Sequence, residues 1–142
     1  MAATLITGLG LVGTSYAQHA IKRGENVVFY DFAPRKDFLA HKLGSANVTV
    51  VQRDIRDLPS LIETIQKHKC DTVIHTAGLI GGKLANPLYT GLHINLMATL
   101  NVAEALAPGM LDSFVLFYRA LFGLQPGAPW ELPVPYGLVR SR

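Results

Sequence analysis

The sequence lacks the features of secreted and membrane-spanning proteins. One cysteine, Cys70, occurs in 142 residues. A single thiol cannot close a disulfide within the chain, which excludes a disulfide-stabilised domain and favours a reducing compartment. No apolar run reaches the roughly 18 residues that a membrane-spanning helix needs, and no basic segment followed by an apolar block indicates a signal peptide. We therefore expect a cytoplasmic protein that has no membrane partner.

Long runs of one charge and metal-ligand spacings are also missing. The net charge is +3, from 13 basic and 10 acidic residues, and no five like charges follow one another, so a nucleic-acid partner is not indicated. The five histidines show no spacing of the H-E-x-x-H type, and no metal is expected. Apolar residues are plentiful, at 49%, which is enough for one domain with a buried core.

A glycine pattern near the N-terminus is the most informative part of the sequence. The short apolar run Leu5-Ile6 leads into glycines that spell G-x-G-x-x-G, and a helical pattern follows. In a dinucleotide site the first glycine allows the tight strand-to-helix turn, the second lets backbone N–H groups approach a pyrophosphate, and the third lets the helix lie close to the strand. The predicted cofactor-binding turn comprises Gly8, Leu9, Gly10, Leu11, Val12 and Gly13.

An acidic residue follows at the spacing of a ribose-binding residue. The second apolar run, residues 27–30, ends at Asp31, 18 residues after Gly13. This is close to the roughly 20 residues at which an acid reaches the adenosine ribose. Repulsion between Asp31 and a 2′-phosphate favours NAD as the cofactor, whereas Arg35 or Lys36 would admit NADP. The alternative is a solvated Asp31 after an ordinary βαβ turn.

Two further predicted strands end in residues that suit a cofactor. The strand over 48–51 is followed by Asp54, which could accept a hydrogen bond from an adenine amino group, and by Ile55, which could pack on the ring. The sequence leaves equally open that Asp54 or Asp57 only caps the next helix. The strand that begins at residue 71 runs into a small-residue turn that contains Ala77 and Gly78, where a cofactor could lie across the sheet edge.

The order of the predicted elements indicates the fold. Four strands alternate with helices, which predicts an α/β, Rossmann-like parallel sheet with strand order 3-2-1-4 and right-handed crossovers.

His75, at the end of the fourth strand, is expected to be packed or hydrogen-bonded rather than catalytic. Residues 80–91 are expected to form a loop, and residues 92–107 a helix in which Asn95 could hold a backbone group or a water. In the apolar stretch 111–124, either residues 114–117 form a fifth strand or the whole segment forms one helix, and an irregular Pro-rich tail follows.

Taken together, residues 3–107 resemble the extended short-chain dehydrogenase/reductase family, the NAD-dependent epimerase/dehydratases. Besides the features above, residues 95–105 read N-x-x-A-T-x-N-x-x-E-A, similar to the family's N-x-x-G-T-x-N-x-x-E-A. The resemblance implies an NAD-binding domain whose glycine turn holds the pyrophosphate. It also implies the other contacts, with Asp31 at the ribose, Asp54 and Ile55 at the adenine, Ala77 and Gly78 along the cofactor, and Asn95 near the active site.

The sequence departs from that family in two ways. Its glycine turn is one residue shorter than the family's T-G-x-x-G-x-x-G, so the phosphate fit differs. The family's catalytic tyrosine has a lysine four residues later, because a hydroxyl with a pKa near 10 needs a cation to act near neutral pH. Here the residues four positions after the five tyrosines are Ala20, Pro34, His93, Phe122 and Arg140. No catalytic residue is therefore assigned.

We expect residues 1–107 to form the NAD(P)-binding domain. Residues 108–142 are expected to be a divergent tail, apolar and then Pro-rich, so that the chain is C-terminally truncated relative to the family and has no substrate domain. One hypothesis is a cofactor-binding domain that is catalytically incomplete and whose small-molecule substrate is unknown. The alternative is a non-catalytic interaction protein, or a homo-oligomer, that uses the exposed edge of its half sheet. The loss of family pattern would also arise if residues after 107 were an alternative end of a longer enzyme.

Overall fold

In the computed structural model the chain folds into a six-stranded sheet with helices on both faces. The structure describes residues 3–85, 87–106, 113–116 and 138–140. In chain order the elements are β1 (Ala3–Thr7), α1 (Leu11–Lys22), β2 (Asn26–Asp31), α2 (Lys36–Leu43), β3 (Thr49–Gln52), α3 (Leu58–His68), β4 (Thr72–His75), α4 (Gly82–Ala85), α5 (Leu88–Ala105), β5 (Ser113–Leu116) and β6 (Leu138–Arg140). The strand order is β3-β2-β1-β4-β5-β6.

The first strand lies inside the sheet and explains the apolar run at the N-terminus. All five residues of β1 are buried, because β2 and β4 pair with it in parallel on either side and helices cover both faces. The face under α3 and α5 contains, among others, Leu5, Val28, Leu61, Val73 and Val102. The face under α1 and α2 contains, among others, Ile6, Ala17, Phe29, Leu39 and Ile74.

The structure confirms the predicted order 3-2-1-4 and extends it. β5 pairs in parallel with β4, so the fifth-strand interpretation is right for residues 113–116 and the single-helix interpretation is wrong there. β6 pairs antiparallel with β5, in a stretch expected to be irregular. A three-residue strand has little pattern of its own, and its pairing with β5 defines it. The other residues after 106 lie outside the described residues.

One boundary from the sequence is wrong. Residues 80–91 were expected to be a loop, yet they contain α4 and the first turn of α5, which begins at Leu88 rather than near residue 92. Gly91, a loop signal in the sequence, lies within α5, and a Cβ there would overlap the backbone of Leu84. Close packing of α4 on α5 requires the missing side chain. Pro87 precedes the helix at its N-cap with an extended backbone, a position where proline costs no hydrogen bond.

Two classes of feature are absent from the described residues. No helix there is both long and apolar enough to cross a membrane. No group of three or more His, Cys, Asp or Glu side chains in the same residues could hold a metal ion.

Candidate functional site

The glycine turn joins β1 to α1, and its shape requires glycine at two positions. Gly8 has a φ of +88°, and a Cβ there would lie 2.8 Å from the Ala77 backbone nitrogen. A Cβ at Gly13 would overlap the carbonyl oxygen of Gly8, so α1 approaches the turn at backbone contact distance. A Cβ at Gly10, in contrast, would meet nothing within 4 Å. Packing among the described residues therefore does not require glycine at position 10, and the space that they leave beside it is open to a ligand.

The carboxylate of Asp31 connects the end of β2 to this turn. Its Oδ2 accepts the backbone N–H of Leu9 at 2.6 Å, and its Oδ1 accepts the backbone N–H of Ala33 at 2.7 Å. The backbone N–H of Gly8 also donates to the carbonyl oxygen of Tyr30 at 2.9 Å. These bonds place a carboxylate directly beside the start of α1, where the helix dipole favours negative charge.

The end of β4 forms the third side of the turn. The Thr76 hydroxyl donates to the carbonyl oxygen of Thr7 at 2.7 Å and to that of Gly8 at 3.1 Å. Ala77 packs its backbone against Gly8, while Gly78 is exposed. Thr76 was not predicted as a site residue, because a small polar residue after a strand has no distinct pattern in one sequence.

His75 is packed, as expected, and lies behind the site. It is 1% exposed, and its Nδ1 is 2.6 Å from the Thr7 hydroxyl oxygen. The same Thr7 oxygen accepts the backbone N–H of Ala77 at 3.4 Å, so the imidazole and the turn after β4 share one hydroxyl, and the tautomer of His75 sets which of the Thr7 and His75 groups donates. Burial lowers the pKa of His75 to about 4. The Nε2 atom is buried and has no hydrogen-bond partner among the described residues.

The turn between β3 and α3 shows which of its two acids caps the helix. Asp57 is the N-cap of α3, since its carboxylate accepts the Ser60 backbone N–H at 3.1 Å and the Ser60 hydroxyl at 2.7 Å. Asp54 is not the cap. Its two oxygens accept from the guanidinium and backbone N–H of Arg56, and this pairing lowers the pKa of the Asp54 carboxyl. Ile55 is 7% exposed, with its side chain in the core.

Asn95 holds a backbone segment, which was one of its expected roles. Its Oδ1 accepts the backbone N–H of Leu79 at 2.7 Å, and its Nδ2 donates to the carbonyl oxygen of Leu79 at 2.8 Å. The amide of Asn95 thus clamps the segment that follows β4. A similar contact that the sequence did not predict joins Asn101 to Ile55, whose carbonyl oxygen accepts from the Asn101 Nδ2 at 2.9 Å.

The predicted site residues gather at one edge of the sheet. β1 to β4 run parallel, so their carboxyl ends, and the turns after them, meet there. The basic residues considered for a 2′-phosphate sit at the start of α2, where the Arg35 guanidinium lies 4.7 Å from the centre of the Phe38 ring. The Asp31 carboxylate, rather than a cation, therefore contacts the glycine turn.

Comparison with known proteins gives consistent matches. The profile of the NAD dependent epimerase/dehydratase family matches residues 4–118. The chain is 29% identical to a UDP-glucose 4-epimerase of Klebsiella pneumoniae over 136 residues, which are 89% of this chain and 96% of that protein. It is 33% identical to a CDP-paratose 2-epimerase of Salmonella typhi over 107 residues, which are 71% of this chain and 31% of that protein.

Solved structures with a similar fold include further epimerases and related enzymes in complex with NAD. A UDP-glucose 4-epimerase from Stenotrophomonas maltophila, crystallised with NAD and formylated UDP-arabinopyranose, superposes with a TM-score of 0.65 at 25% identity and covers 75% of this chain and 33% of that one. The enzyme WbmH of Bordetella bronchiseptica, in complex with NAD+, gives 0.63 at 27% identity, covering 75% and 35%. The chain spans about a third of the length of these solved structures.

Proposed function

Because this chain belongs to the NAD-dependent epimerase/dehydratase family, we propose that it binds NAD at the carboxyl edge of its sheet and does not catalyse turnover by itself. The observation that carries the proposal is the glycine turn, which the ends of three strands hold in shape and which leaves open space beside Gly10. NAD, when bound, supplies a nicotinamide ring that accepts a hydride.

Each part of the edge suits one part of the dinucleotide. Backbone N–H groups of the glycine turn at the start of α1 would take the pyrophosphate, because a helix N-terminus favours an anion. Asp31 would accept the adenosine ribose hydroxyls, and the Asp54-Ile55 turn would hold the adenine. Ala77 and Gly78 would lie along the cofactor, and Asn95 would act there by holding Leu79.

The carboxylate of Asp31 also supports NAD over NADP. It lies against the glycine turn, whereas Arg35 stacks on Phe38. A 2′-phosphate beside that carboxylate would be repelled, and Coulomb repulsion between close charges costs on the order of several kcal/mol near a protein surface.

The proposal of no turnover rests on the missing acid/base pair. None of the five tyrosines is followed by a lysine at the fourth position, so the chain lacks the spacing by which the family's lysine lowers the pKa of the catalytic tyrosine towards neutrality. The relatives' names, UDP-glucose 4-epimerase and CDP-paratose 2-epimerase, favour a sugar nucleotide as the ancestral substrate class.

The one cysteine is buried, in keeping with a reducing, cytoplasmic environment.

Thermal unfolding with and without dinucleotides tests cofactor binding. At about 100 times its dissociation constant a ligand adds roughly 2.7 kcal/mol to stability, which raises the Tm by several degrees for a domain of this size. We expect a shift with NAD and a smaller one with NADP. A cooperative transition that neither dinucleotide shifts would contradict the proposal.

A turnover assay tests the second half of the proposal separately. The chain is incubated with NAD and a panel of UDP- and CDP-sugars, and NADH and epimerised sugars are measured. We expect neither to accumulate above the level of a heat-denatured control. Clear turnover would show that this chain carries an acid/base pair that its tyrosines do not provide.

A second candidate function, self-association, is favoured by one surface of α5. Tyr89, Leu92, Leu96 and Leu100 follow one another along one side of this helix, and they are 80%, 50%, 61% and 51% exposed. Contiguous apolar surface of this kind marks interaction sites, and a second copy of the chain would present the same stripe. Sizing at micromolar concentration tests this. We expect a dimer that Leu96→Glu converts to a monomer, whereas a monomeric parent chain would exclude it.

A further inference from the structure

The turn between β3 and α3 is held by two side chains from distant parts of the chain. We propose that Tyr30 and Asn101 are positioning residues that orient this turn so that Asp54 recognises the 6-amino group of an adenine. The inference rests on the proposed function, since it assumes that a dinucleotide binds with its base at this turn. Neither residue would touch the base, because each acts on the backbone of the turn.

Tyr30 holds the turn from β2. Its ring is fully buried, and its hydroxyl donates to the carbonyl oxygen of Asp54 at 3.1 Å. Burial, together with the carboxylates of Asp57 and Asp54, raises the pKa of Tyr30 to about 12. The hydroxyl therefore stays protonated and remains a donor throughout the neutral pH range.

Asn101 holds the turn from α5. Its Nδ2 donates to the carbonyl oxygen of Ile55 at 2.9 Å, and the side chain is buried, so water does not replace the bond. α5 packs on the sheet through Ala98 and Val102, which share a core cluster with Ile55. Loss of the Asn101 amide would leave the Ile55 carbonyl oxygen without this buried hydrogen bond.

These two bonds fix consecutive carbonyl groups. With the oxygens of Asp54 and Ile55 both held, the two consecutive peptide planes on either side of Ile55 are restrained, and with them the direction of the Cα–Cβ bond of Asp54. A third bond, from the Asp57 backbone N–H to the Asp54 carbonyl oxygen at 3.0 Å, closes the turn. The turn is thus shaped before any ligand arrives, which lowers the entropy that binding must overcome.

The Asp54 carboxylate accepts four contacts from Arg56, but only three N–H groups make them. The backbone N–H, Nε and Nη2 donate, and the single Nε–H is shared between both oxygens. With about four acceptor positions on a carboxylate, an adenine amino group would take one of the two positions that the shared Nε–H now spans. Arg56 also lowers the pKa of Asp54, which keeps it an acceptor. An acceptor that is negatively charged favours the 6-amino group of adenine and disfavours the 6-oxo group of hypoxanthine, which would place an oxygen against it.

The test compares NAD with nicotinamide hypoxanthine dinucleotide, which differs at that one group. Dissociation constants for both are measured by calorimetry for the parent chain, Tyr30→Phe, Asn101→Leu and the matched control Thr64→Val. Thr64 is buried and its hydroxyl donates to Ser60 within α3, so its loss removes a buried hydrogen bond away from the turn. A purely structural role would lower stability in all three variants without changing the preference between the two dinucleotides.

We expect the parent chain and Thr64→Val to bind NAD about tenfold more tightly than the hypoxanthine dinucleotide, the effect of one net hydrogen bond to a charged group. In Tyr30→Phe and Asn101→Leu this preference should fall below about threefold, because the Asp54 carboxylate is no longer held towards the 6-amino group. Threefold corresponds to a difference of about 0.6 kcal/mol between the binding free energies of the two dinucleotides. If Asn101→Leu does not fold, Tyr30→Phe, which keeps the ring, decides the question.

The results that would overturn the proposed function differ from those that would overturn only the inference about Tyr30 and Asn101. Absence of binding of either dinucleotide to the parent chain would overturn the proposed function and this inference with it. Binding of both dinucleotides with equal affinity by the parent chain would overturn only the inference. A tenfold preference that persists in Tyr30→Phe would also overturn only the inference.

Discussion

The carboxylate of Asp31 accepts a hydrogen bond from the backbone N–H of Leu9 at 2.6 Å. The residue that ends β2 therefore braces the glycine turn that follows β1. The sequence predicts one role for Asp31, which is contact with a ribose. The structure adds a second role, because the same carboxylate holds the turn that would bind the pyrophosphate. Substitutions at Asp31 should therefore affect both parts of the cofactor site.

Asp31→Asn is expected to weaken NAD binding about tenfold or more and to narrow the difference between NAD and NADP. The amide keeps one acceptor oxygen, but its NH2 group must face the N–H of Leu9 or of Ala33. The substitution also removes the negative charge that would repel the 2′-phosphate of NADP. Titration of both dinucleotides by fluorescence measures the two affinities.

Glu63→Gln is the control for that change, because Glu63 is an exposed carboxylate on α3. It should leave both affinities unchanged. If Asp31→Asn lowered the affinities for NAD and NADP by the same factor, its charge would have no role in discrimination.

Gly10→Ala and Gly13→Ala should have opposite consequences for fold and binding. A Cβ at Gly10 meets open space, so we expect the free energy of unfolding to change by less than about 1 kcal/mol. NAD affinity should fall strongly, because that space is where the backbone would approach the pyrophosphate. A Cβ at Gly13 overlaps Gly8, and forced repacking of this kind costs about 1–3 kcal/mol or more.

Urea unfolding and NAD titration of both glycine variants check this. A Gly10→Ala protein that binds NAD as the parent does would mean that the open space is not the phosphate site. A Gly13→Ala protein of unchanged stability would mean that α1 can move away from the turn.

His75 should make the chain less stable as the pH falls from about 6.5 towards 4. The pKa of His75 is about 4 in the folded state and near 6.5 in an unfolded chain. Between these values the unfolded state binds more protons, so protonation favours unfolding. The loss approaches about 3 kcal/mol at the lower end, at 1.36 kcal/mol for each pH unit.

The pH effect is measured by urea unfolding at several pH values in the parent and in His75→Gln, which can still bond to Thr7 but does not titrate. We expect a flatter dependence of stability on pH in the variant over that interval. Parallel curves for the two proteins would refute a depressed pKa at His75.

Asn95→Leu should release the segment after β4. The Leu79 backbone N–H donates to Asn95, and with leucine in its place the Leu79 amide should exchange with solvent about tenfold faster or more. Asn95→Asp keeps the acceptor and loses the donor to the Leu79 carbonyl oxygen, so its effect should be smaller. Amide hydrogen exchange followed by NMR gives the rates.

The Thr76 amide serves as the internal reference for that experiment, because it donates to the carbonyl oxygen of Thr7 and not to Asn95. Its exchange should be unchanged in both variants. Equal acceleration at Thr76 and Leu79 would indicate general loosening of β4 rather than loss of a specific clamp.

Local patterns were sufficient for the main elements. The apolar run of β1, the glycines after it and Asp31 lie within a short stretch of chain, and β1, β2, α1 and their order follow from them. The expectation of loop over 80–91 was wrong because Gly91 and Pro87 are breakers in isolation, whereas here one permits helix packing and the other begins a helix. The strand β6 could not be found because only its partner β5 defines it.

The amino-acid sequence was sufficient to predict the parallel sheet, the glycine turn and the edge where the predicted site residues gather, because apolar periodicity and glycine spacing are local properties. The partners of individual polar groups became clear from the folded chain alone. Asp57 and Asp54 bond within three residues, to Ser60 and Arg56, and their local turn selects these partners. His75 meets Thr7 and Asn101 meets Ile55 across 68 and 46 residues. Which of these distant residues meet depends on how strands distant in sequence pair and how helices pack across them.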